Sequence, residues 1–291
     1  MGVTTAWHSG VASDPGLLRS DNEDCVYVDD AAGIFLVVDG MGGRAAGELA
    51  AHTAMEVIPR AFENSEGEVA ERIRQAITAA NNEIYRQAQD RDACHGMACV
   101  LTLAVAHDDR ITVGHVGDSR LYLVWNGTMR KLTSDHSPVG ELEDQGALSE
   151  TAAMEHPGRN EVFRDVGSKP READEDDFIQ VKSFPFRPAA ALLLCTDGLS
   201  DMLTSAEIGA IVQGYSGDAS QVARDLIDAA NQAGGKDNIS VIFVAGPDFL
   251  GADSQAMLEA RTRHSITQVR EIKSPWRKLL HGLARLLPDN W

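Results

Sequence analysis

Six short apolar runs, each ended abruptly by a Gly or an Asp, set the narrowest limits on the fold of this chain. They are Ile34–Val38, Val100–Ala106, Ile111–Val116, Leu121–Val124, Leu192–Cys195 and Ile239–Ala245. Each has strand length and is rich in β-branched or aliphatic residues. Between the early runs, Gly47–Phe62 and a segment from Glu66 to Gln89 carry helical periodicity. In the second, Val69, Ile73, Ile77, Ala80 and Ile84 recur at three- and four-residue steps. Later, Thr204-x-x-Glu207 reads as a capping box that opens a short helix. An amphipathic segment from Ser220 to Ala233 is stopped by Gly234 and Gly235. Strands, two successive helices, more strands, two more helices and a closing strand do not alternate as βαβ units do. That order predicts antiparallel pairing with helices gathered in layers, an α+β architecture.

The chain has 291 residues, 43% hydrophobic and 24% charged, which suffices for an ordinary core. Its formal charge of −18 argues against nucleic acid as the main partner. The charge is uneven: residues 260–291 hold seven Lys/Arg and only two Asp/Glu, a basic tail on an acidic body. The opening MGVTTAWHSG has neither the basic flank nor the apolar run of a secretory signal. No apolar stretch approaches the roughly 20 residues of a membrane span. The expectation is a cytoplasmic, monomeric protein. Cys25, Cys94, Cys99 and Cys195 lack a CxxC spacing and read as reduced core thiols, with a Cys94–Cys99 redox pair as the alternative.

The aspartates share a placement. Asp39-Gly40 and Asp197-Gly198 each follow an apolar run, Asp118 follows Val113–Gly117, and Asp237-Asn238 immediately precedes Ile239–Val244. A single Asp-Gly after a strand is usually a turn. Four such acids on one rim would instead form an oxygen-only cage suited to Mg²⁺ or Mn²⁺. No His/Cys spacing suits zinc. Upstream, Arg19 stands beside Asp21, Glu23 and Asp24, and its guanidinium can grip a phosphate with two parallel hydrogen bonds. Residues 137–185 read as a polar, broken stretch with a solvated acidic cluster (Glu172, Asp174, Glu175, Asp176 and Asp177), the kind of insertion that often serves as a lid.

Five segments occur in order: Arg19-x-x-Asn22-Glu23-Asp24, Val38-Asp39-Gly40-Met41-Gly42-Gly43, Gly117-Asp118-Ser119-Arg120, Thr196-Asp197-Gly198-Leu199 and Lys236-Asp237-Asn238-Ile239-Ser240. Together they resemble the signature of the metal-dependent phosphatases of type 2C, the PPM family. The Met-Gly-Gly version and Leu132–Ser137 are similar to its bacterial branch. The resemblance spans roughly residues 8–246, and five ordered motifs make a chance match very unlikely.

The resemblance implies a four-layer α-β-β-α sandwich, two antiparallel sheets flanked by helix pairs, over residues 1–247, with 248–291 as an extension. It implies a protein serine/threonine phosphatase that hydrolyses phosphoserine and phosphothreonine by attack of a metal-bridging water, with no nucleophile from the enzyme. Asp39 would bridge two Mn²⁺ or Mg²⁺ ions, the Gly40 carbonyl would serve the second, and Asp197 and Asp237 would complete the first. Asp118 with Asp197 would offer a weaker third site. Glu23 and Asp24 would orient waters from behind, with Asp24 counted among the metal-site residues. Arg19 would hold the substrate phosphate. Residues 137–170 correspond to a flap over the site. The implied partners are phosphorylated proteins and a cognate Ser/Thr kinase.

Some relatives place His where Met41 stands, and many bacterial ones have it where Arg44 stands, so the general acid is not evident; His136 and His156 are the substitutes to weigh. Competing readings are a phosphoprotein-binding pseudophosphatase and a metal phosphohydrolase of small phosphoesters. Within the tail, Trp276, Leu279, Leu280, Leu283, Leu286 and Leu287 share one face of a helical pattern over residues 275–287, flanked by Arg277, Lys278 and Arg285. That pattern fits packing back on the domain, or docking on an anionic membrane surface or a partner, which would make the protein peripheral to the inner membrane.

Overall fold

The computed structural model describes residues 7–90 and 94–252. Within them lie two five-stranded antiparallel sheets. One runs in the order β1 (His8–Asp14), β10 (Ile239–Ala245), β9 (Ala190–Cys195), β6 (Arg120–Trp125), β7 (Thr128–Lys131). The other runs β2 (Asp24–Asp29), β3 (Ile34–Met41), β4 (Ala98–His107), β5 (Arg110–Val116), β8 (Gln180–Pro185). Helices α1 (Arg44–Glu63) and α2 (Val69–Asp90) cover the outer face of the second sheet, and α6 (Ser205–Gln213) and α7 (Ala219–Gln232) that of the first. The result is the expected four-layer α-β-β-α sandwich.

Alternation along the central strands divides the core into three. Phe35 and Val37 point at Leu192, Leu194, Ile242 and Val244 between the sheets. Their neighbours Leu36 and Val38 point outward to Ile58, Ile73 and Ile77 on the helices. Leu193 and Cys195 likewise face Val222, Ala223 and Leu226. Strands buried on both faces need no polar alternation, which is why the six runs read as continuous apolar segments.

The six expected strands are the interior ones. The four that carry no apolar run (β1, β2, β7 and β8) are the four sheet edges, each with only part of its surface covered. The first helix starts at Arg44 rather than Gly47, and the second at Val69 rather than Glu66. Residues 137–185 are less irregular than expected, since they hold α3 (Pro138–Asp144), α4 (Glu150–Met154) and strand β8. Ser137 and Ser149 cap the two short helices. All four cysteines are buried free thiols. Phe249 packs on Tyr215 and Phe243, so core contacts continue past residue 247. Among the described residues no helix is long and apolar enough to cross a membrane. The helical pattern at 275–287 lies outside them.

Edge strand β1 meets α7 at very close range. A Cβ at Gly10 would stand 2.1 Å from the backbone carbon of Ala219. Backbone cannot yield as a side-chain tip can, so Gly10→Ala should cost about 1–3 kcal/mol by overpacking. Urea unfolding would check it; an unchanged midpoint would mean that the strand and helix separate freely.

Candidate metal centre and its supports

The acidic rim is built where the two sheets meet. In the second sheet Asp24 and Asp39 are cross-strand partners, on β2 and β3. In the first, β9 ends at Cys195, and Thr196-Asp197 turns into the four-residue helix α5 (Asp197–Ser200), while Asp237 leads into β10. Asp118 follows the end of β5. One correction concerns Asp39. It was expected at a strand end but lies inside β3, which continues to Met41 because β4 goes on pairing with it: Asp39 faces Val100, Gly40 faces Cys99 and Met41 faces Ala98.

Seven of the eight expected residues line one cavity of about 200 Å³: Arg19, Glu23, Asp39, Gly40, Asp118, Asp197 and Asp237. Asp24 does not reach that wall and lies behind it. Its Oδ2 accepts a hydrogen bond from the Thr196 hydroxyl at 2.8 Å, joining one sheet to the other. Its Oδ1 is buried without a partner among the described residues. Thr196 also accepts from the Ser240 N–H at 3.0 Å, so one hydroxyl ties three segments together.

Burial raises five of these carboxyls, those of Glu23, Asp24, Asp39, Asp118 and Asp197. Asp39 and Asp197 are pushed well above the usual carboxylate range, first by desolvation and then by their acidic neighbours. Asp118 is pushed up to about 7 by desolvation and by Asp135 and Asp201. Asp24 is likewise pushed up to about 7, chiefly by desolvation. Glu23 is raised by burial, against the pull of Arg19. Arg19, the one Lys or Arg on the cavity wall among the described residues, donates to Asp237 at 2.8 Å and leaves half its side chain exposed.

The donor set fits hard divalent cations. Every ligand candidate on the wall is a carboxylate or carbonyl oxygen, and among the described residues no His or Cys lines the cavity. The cysteines are no nucleophiles: burial pushes Cys25 up to about 11 and Cys195 up to about 12. As the side chains stand, no three His, Cys, Asp or Glu among the described residues close tightly around one point. Acids this close oppose one another's ionisation, and a divalent cation between them would remove that opposition.

The close approach of the segments around the cavity depends on missing side chains. A Cβ at Gly40 would meet the Gly47 carbonyl oxygen at 2.2 Å, and one at Gly47 would meet Glu23 Oε2 at 2.1 Å. Glycine at both positions lets α1, β3 and the Glu23 loop converge.

Several supports were not read from the sequence. Asn238 has its amide fully used: Oδ1 accepts from the Glu23 N–H at 2.8 Å, and Nδ2 donates to the carbonyls of Pro15 and Asp21 at 3.0 and 2.8 Å. Asp201, in a second cavity bordered by Asp118 and Asp197, pairs with Arg159 at 2.5 Å, and Asn160 beside it reaches the main cavity. His136 is buried and pairs twice with Gly117: its backbone N–H donates to the Gly117 carbonyl at 2.7 Å, and its Nδ1 accepts the Gly117 N–H at 3.0 Å. It therefore fixes the turn that carries Asp118. Neither His136 nor His156 lines the cavity, and the His156 Nδ1 accepts from the Gly158 N–H.

Comparison with known proteins places this geometry. Residues 13–240 match the family described as Protein phosphatase 2C. The serine/threonine phosphatase stp of Listeria innocua is 35% identical over 245 residues, 81% of this chain and 95% of that protein. Serine/threonine protein phosphatase PstP of Mycobacterium tuberculosis is 30% identical over 260 residues, 88% of this chain and 48% of that longer protein. A crystal structure of the M. tuberculosis phosphatase PstP/Ppp superimposes with a TM-score of 0.73 at 30% identity, covering 82% of this chain and 98% of that one. The catalytic domain of PstP in complex with two manganese ions gives 0.72 at 28% identity, covering 82% and 97%.

The raised acids make a pH prediction. Between about pH 4 and about pH 7 the folded protein keeps protons on Asp24 and Asp118 that the unfolded chain has released. Without cations, these groups therefore lower stability as pH rises through that window. A bound divalent cation replaces the protons, so the gain in melting temperature on adding millimolar Mn²⁺ should be larger at pH 8 than at pH 5. Taking the difference cancels the opposite contribution of His115 and His136, both pushed down to about 3 by burial. A gain independent of pH would contradict this account.

Proposed function

The chain belongs to the protein phosphatase 2C family and is a metal-dependent protein serine/threonine phosphatase, and we propose how its residues divide the work. The enzyme uses Mn²⁺ or Mg²⁺, two per active site, and its substrates are phosphorylated proteins. Asp39, the Gly40 carbonyl, Asp197 and Asp237 would hold these ions, and Asp118 with Asp197 would offer a weaker third place. When bound, the cations acidify water and neutralise charge on the phosphoryl group.

Everything else falls to the protein. Arg19, with one nitrogen on Asp237, keeps the rest of its fork for the phosphate oxygens, so substrate enters already aligned with the acids. Glu23, with its backbone held by Asn238, orients water at the cavity wall. Asp24 does the same from behind through its unpartnered oxygen. The observation that carries the reading is the convergence of Glu23, Asp39, Asp118, Asp197 and Asp237, from five separate chain segments, on one cavity whose wall holds a single arginine among the described residues.

The physiological role that fits is reversal of phosphorylation set by a Ser/Thr kinase of the same cell. The basic pattern at 275–287 supports peripheral attachment to an anionic membrane. In co-sedimentation with anionic liposomes the full chain should pellet and a version ending at residue 259 should not; equal pelleting removes the membrane role.

Two substitutions test the active site. Asp39→Asn should lower Mn²⁺-dependent hydrolysis of phosphothreonine peptides by roughly a thousandfold, since cation stabilisation is worth several kcal/mol at the transition state. Arg19→Ala should raise KM for the same peptides about tenfold with a smaller change in kcat. Full activity in Asp39→Asn would remove the assignment.

A further inference from the structure

Residues 137–170, which would form the flap, begin and close on one buried residue, His136. Its backbone N–H donates to the Gly117 carbonyl at 2.7 Å, and its Nδ1 accepts from the Gly117 N–H at 3.0 Å. Its carbonyl accepts from the Phe163 N–H at 2.9 Å, where the chain comes back. The Phe163 ring also lies against the imidazole, with centroids 6.2 Å apart. Just beyond, Cys99 and Val166 exchange backbone hydrogen bonds at 2.9 and 2.8 Å, which joins the returning chain to β4. Midway along the stretch, Arg159 pairs with Asp201 and Asn160 reaches the main cavity.

Gly117 opens the turn that carries Asp118, an acid bordering both the main cavity and the second one that holds Asp201. The far side of this turn is anchored in the core. The hydroxyl of Thr102, fully buried on β4, lies 2.9 Å from the Ser119 hydroxyl and donates to the Ser119 carbonyl at 3.0 Å. It also stands 2.9 Å from Nδ1 of buried His115. Gly117 has a φ of 104°, and a Cβ there would meet the Val100 side chain at 2.1 Å. The turn is therefore pressed against β4, fixed to the sheet through Ser119 and to the flap through His136.

The ring's part in this is specific. Donation by the Gly117 N–H needs an unprotonated Nδ1, so the imidazole proton sits on Nε2. If the ring shifts, that buried N–H loses its acceptor, so the turn follows His136 rather than letting go. We infer that His136 is a positioning residue coupling the flap to Asp118: flap placement sets where Asp118 stands, and a cation drawn to Asp118 steadies the flap. The two effects are equal in size, because a coupling free energy is reciprocal. His136 does not line the cavity, so it acts only through the turn and the flap. The coupling rests on Asp118 being a metal-site acid, as proposed above.

The test uses the full chain with Mn²⁺ alone as the probe, its binding followed by the paramagnetic resonance of the free ion. Asn in place of His136 keeps an acceptor near the Nδ1 position, whereas Gln carries it further out. The parent should show a weak class of Mn²⁺ binding that Asp118→Asn abolishes. His136→Gln should weaken that class roughly tenfold, the usual cost of losing a group that orients a metal ligand, and His136→Asn should keep it within about threefold. Phe163→Ala approaches the same link from the flap; Phe163 is 47% exposed, so the core is spared, and the weak class should weaken about threefold. Hydrogen exchange gives a second readout: Mn²⁺ should slow amide exchange over residues 137–165 in the parent and in His136→Asn, and not in His136→Gln or Asp118→Asn. A weak class unchanged in both His136→Gln and Phe163→Ala, or an Mn²⁺ effect on flap exchange that persists in His136→Gln, would overturn the coupling. Should His136→Gln not fold, Phe163→Ala decides alone. If Asp118→Asn leaves all Mn²⁺ binding intact, the assignment of Asp118 itself fails and takes the coupling with it.

Discussion

Four carboxyls at the seam of two sheets, two buried and two half-buried on the cavity wall, are the constraint around which the rest of this structure is arranged. Asp24, Asp39, Asp118 and Asp197 are each disfavoured as anions first by lost hydration and then by neighbouring acids. A fold has no reason of its own to place them together, because apolar residues at these positions would pack at less cost. Their presence is explained by what a pair of divalent cations returns. The same desolvation that penalises the bare carboxylates strengthens their hold on a positive charge.

Keeping such groups close requires a frame that cannot relax away from the strain, and the frame is made of hydrogen bonds across the seam. Thr196 bonds Asp24 in the opposite sheet while accepting from Ser240 in its own. Asn238 has no amide atom to spare and holds the Arg19–Glu23 loop against β10. His136 clamps both polar groups of Gly117. Each buried amide or hydroxyl is satisfied only in this one arrangement, so local slippage would leave polar groups unpaired. Apolar packing between the sheets supplies stability, and these few polar contacts supply position.

What could be read from the sequence follows the same division. Interior strands such as Leu192–Cys195 are buried on both faces and announce themselves as unbroken apolar runs. Edge strands such as Thr128–Lys131 bury little and leave no such trace. The acids were legible because Asp39, Asp197 and Asp237 abut those runs and sit in recognisable motifs. The extension of β3 through Asp39 and Gly40 was not, because a polar residue inside a strand is decided by its pairing partners, Val100 and Cys99. Asp24 lies behind the wall as the motif implied, but Glu23, expected beside it there, lines the cavity, and that split between chain neighbours depends on how one edge strand begins. Asp201 and Arg159 lie 42 residues apart, and nothing local signals their pairing.

The depth of each residue separates chemistry from selection. At the bottom of the cavity, donors are oxygens with almost no freedom, and any phosphomonoester that reaches them meets the same set. Toward the rim, groups become exposed: Arg19 is half in solvent, and Leu17 and Leu18 more so. Buried carboxyls cannot discriminate between proteins, because only the phosphoryl group fits beside them. Only groups at the rim can touch the parts of a protein substrate that lie beyond its phosphoryl group. The contacts that fasten the Pro15–Asp21 loop to Gly235 and Asn238 serve both levels at once. Because Arg19 donates to Asp237 from that same loop, the position of the phosphate-holding arginine and that of the metal-site acid are fixed together.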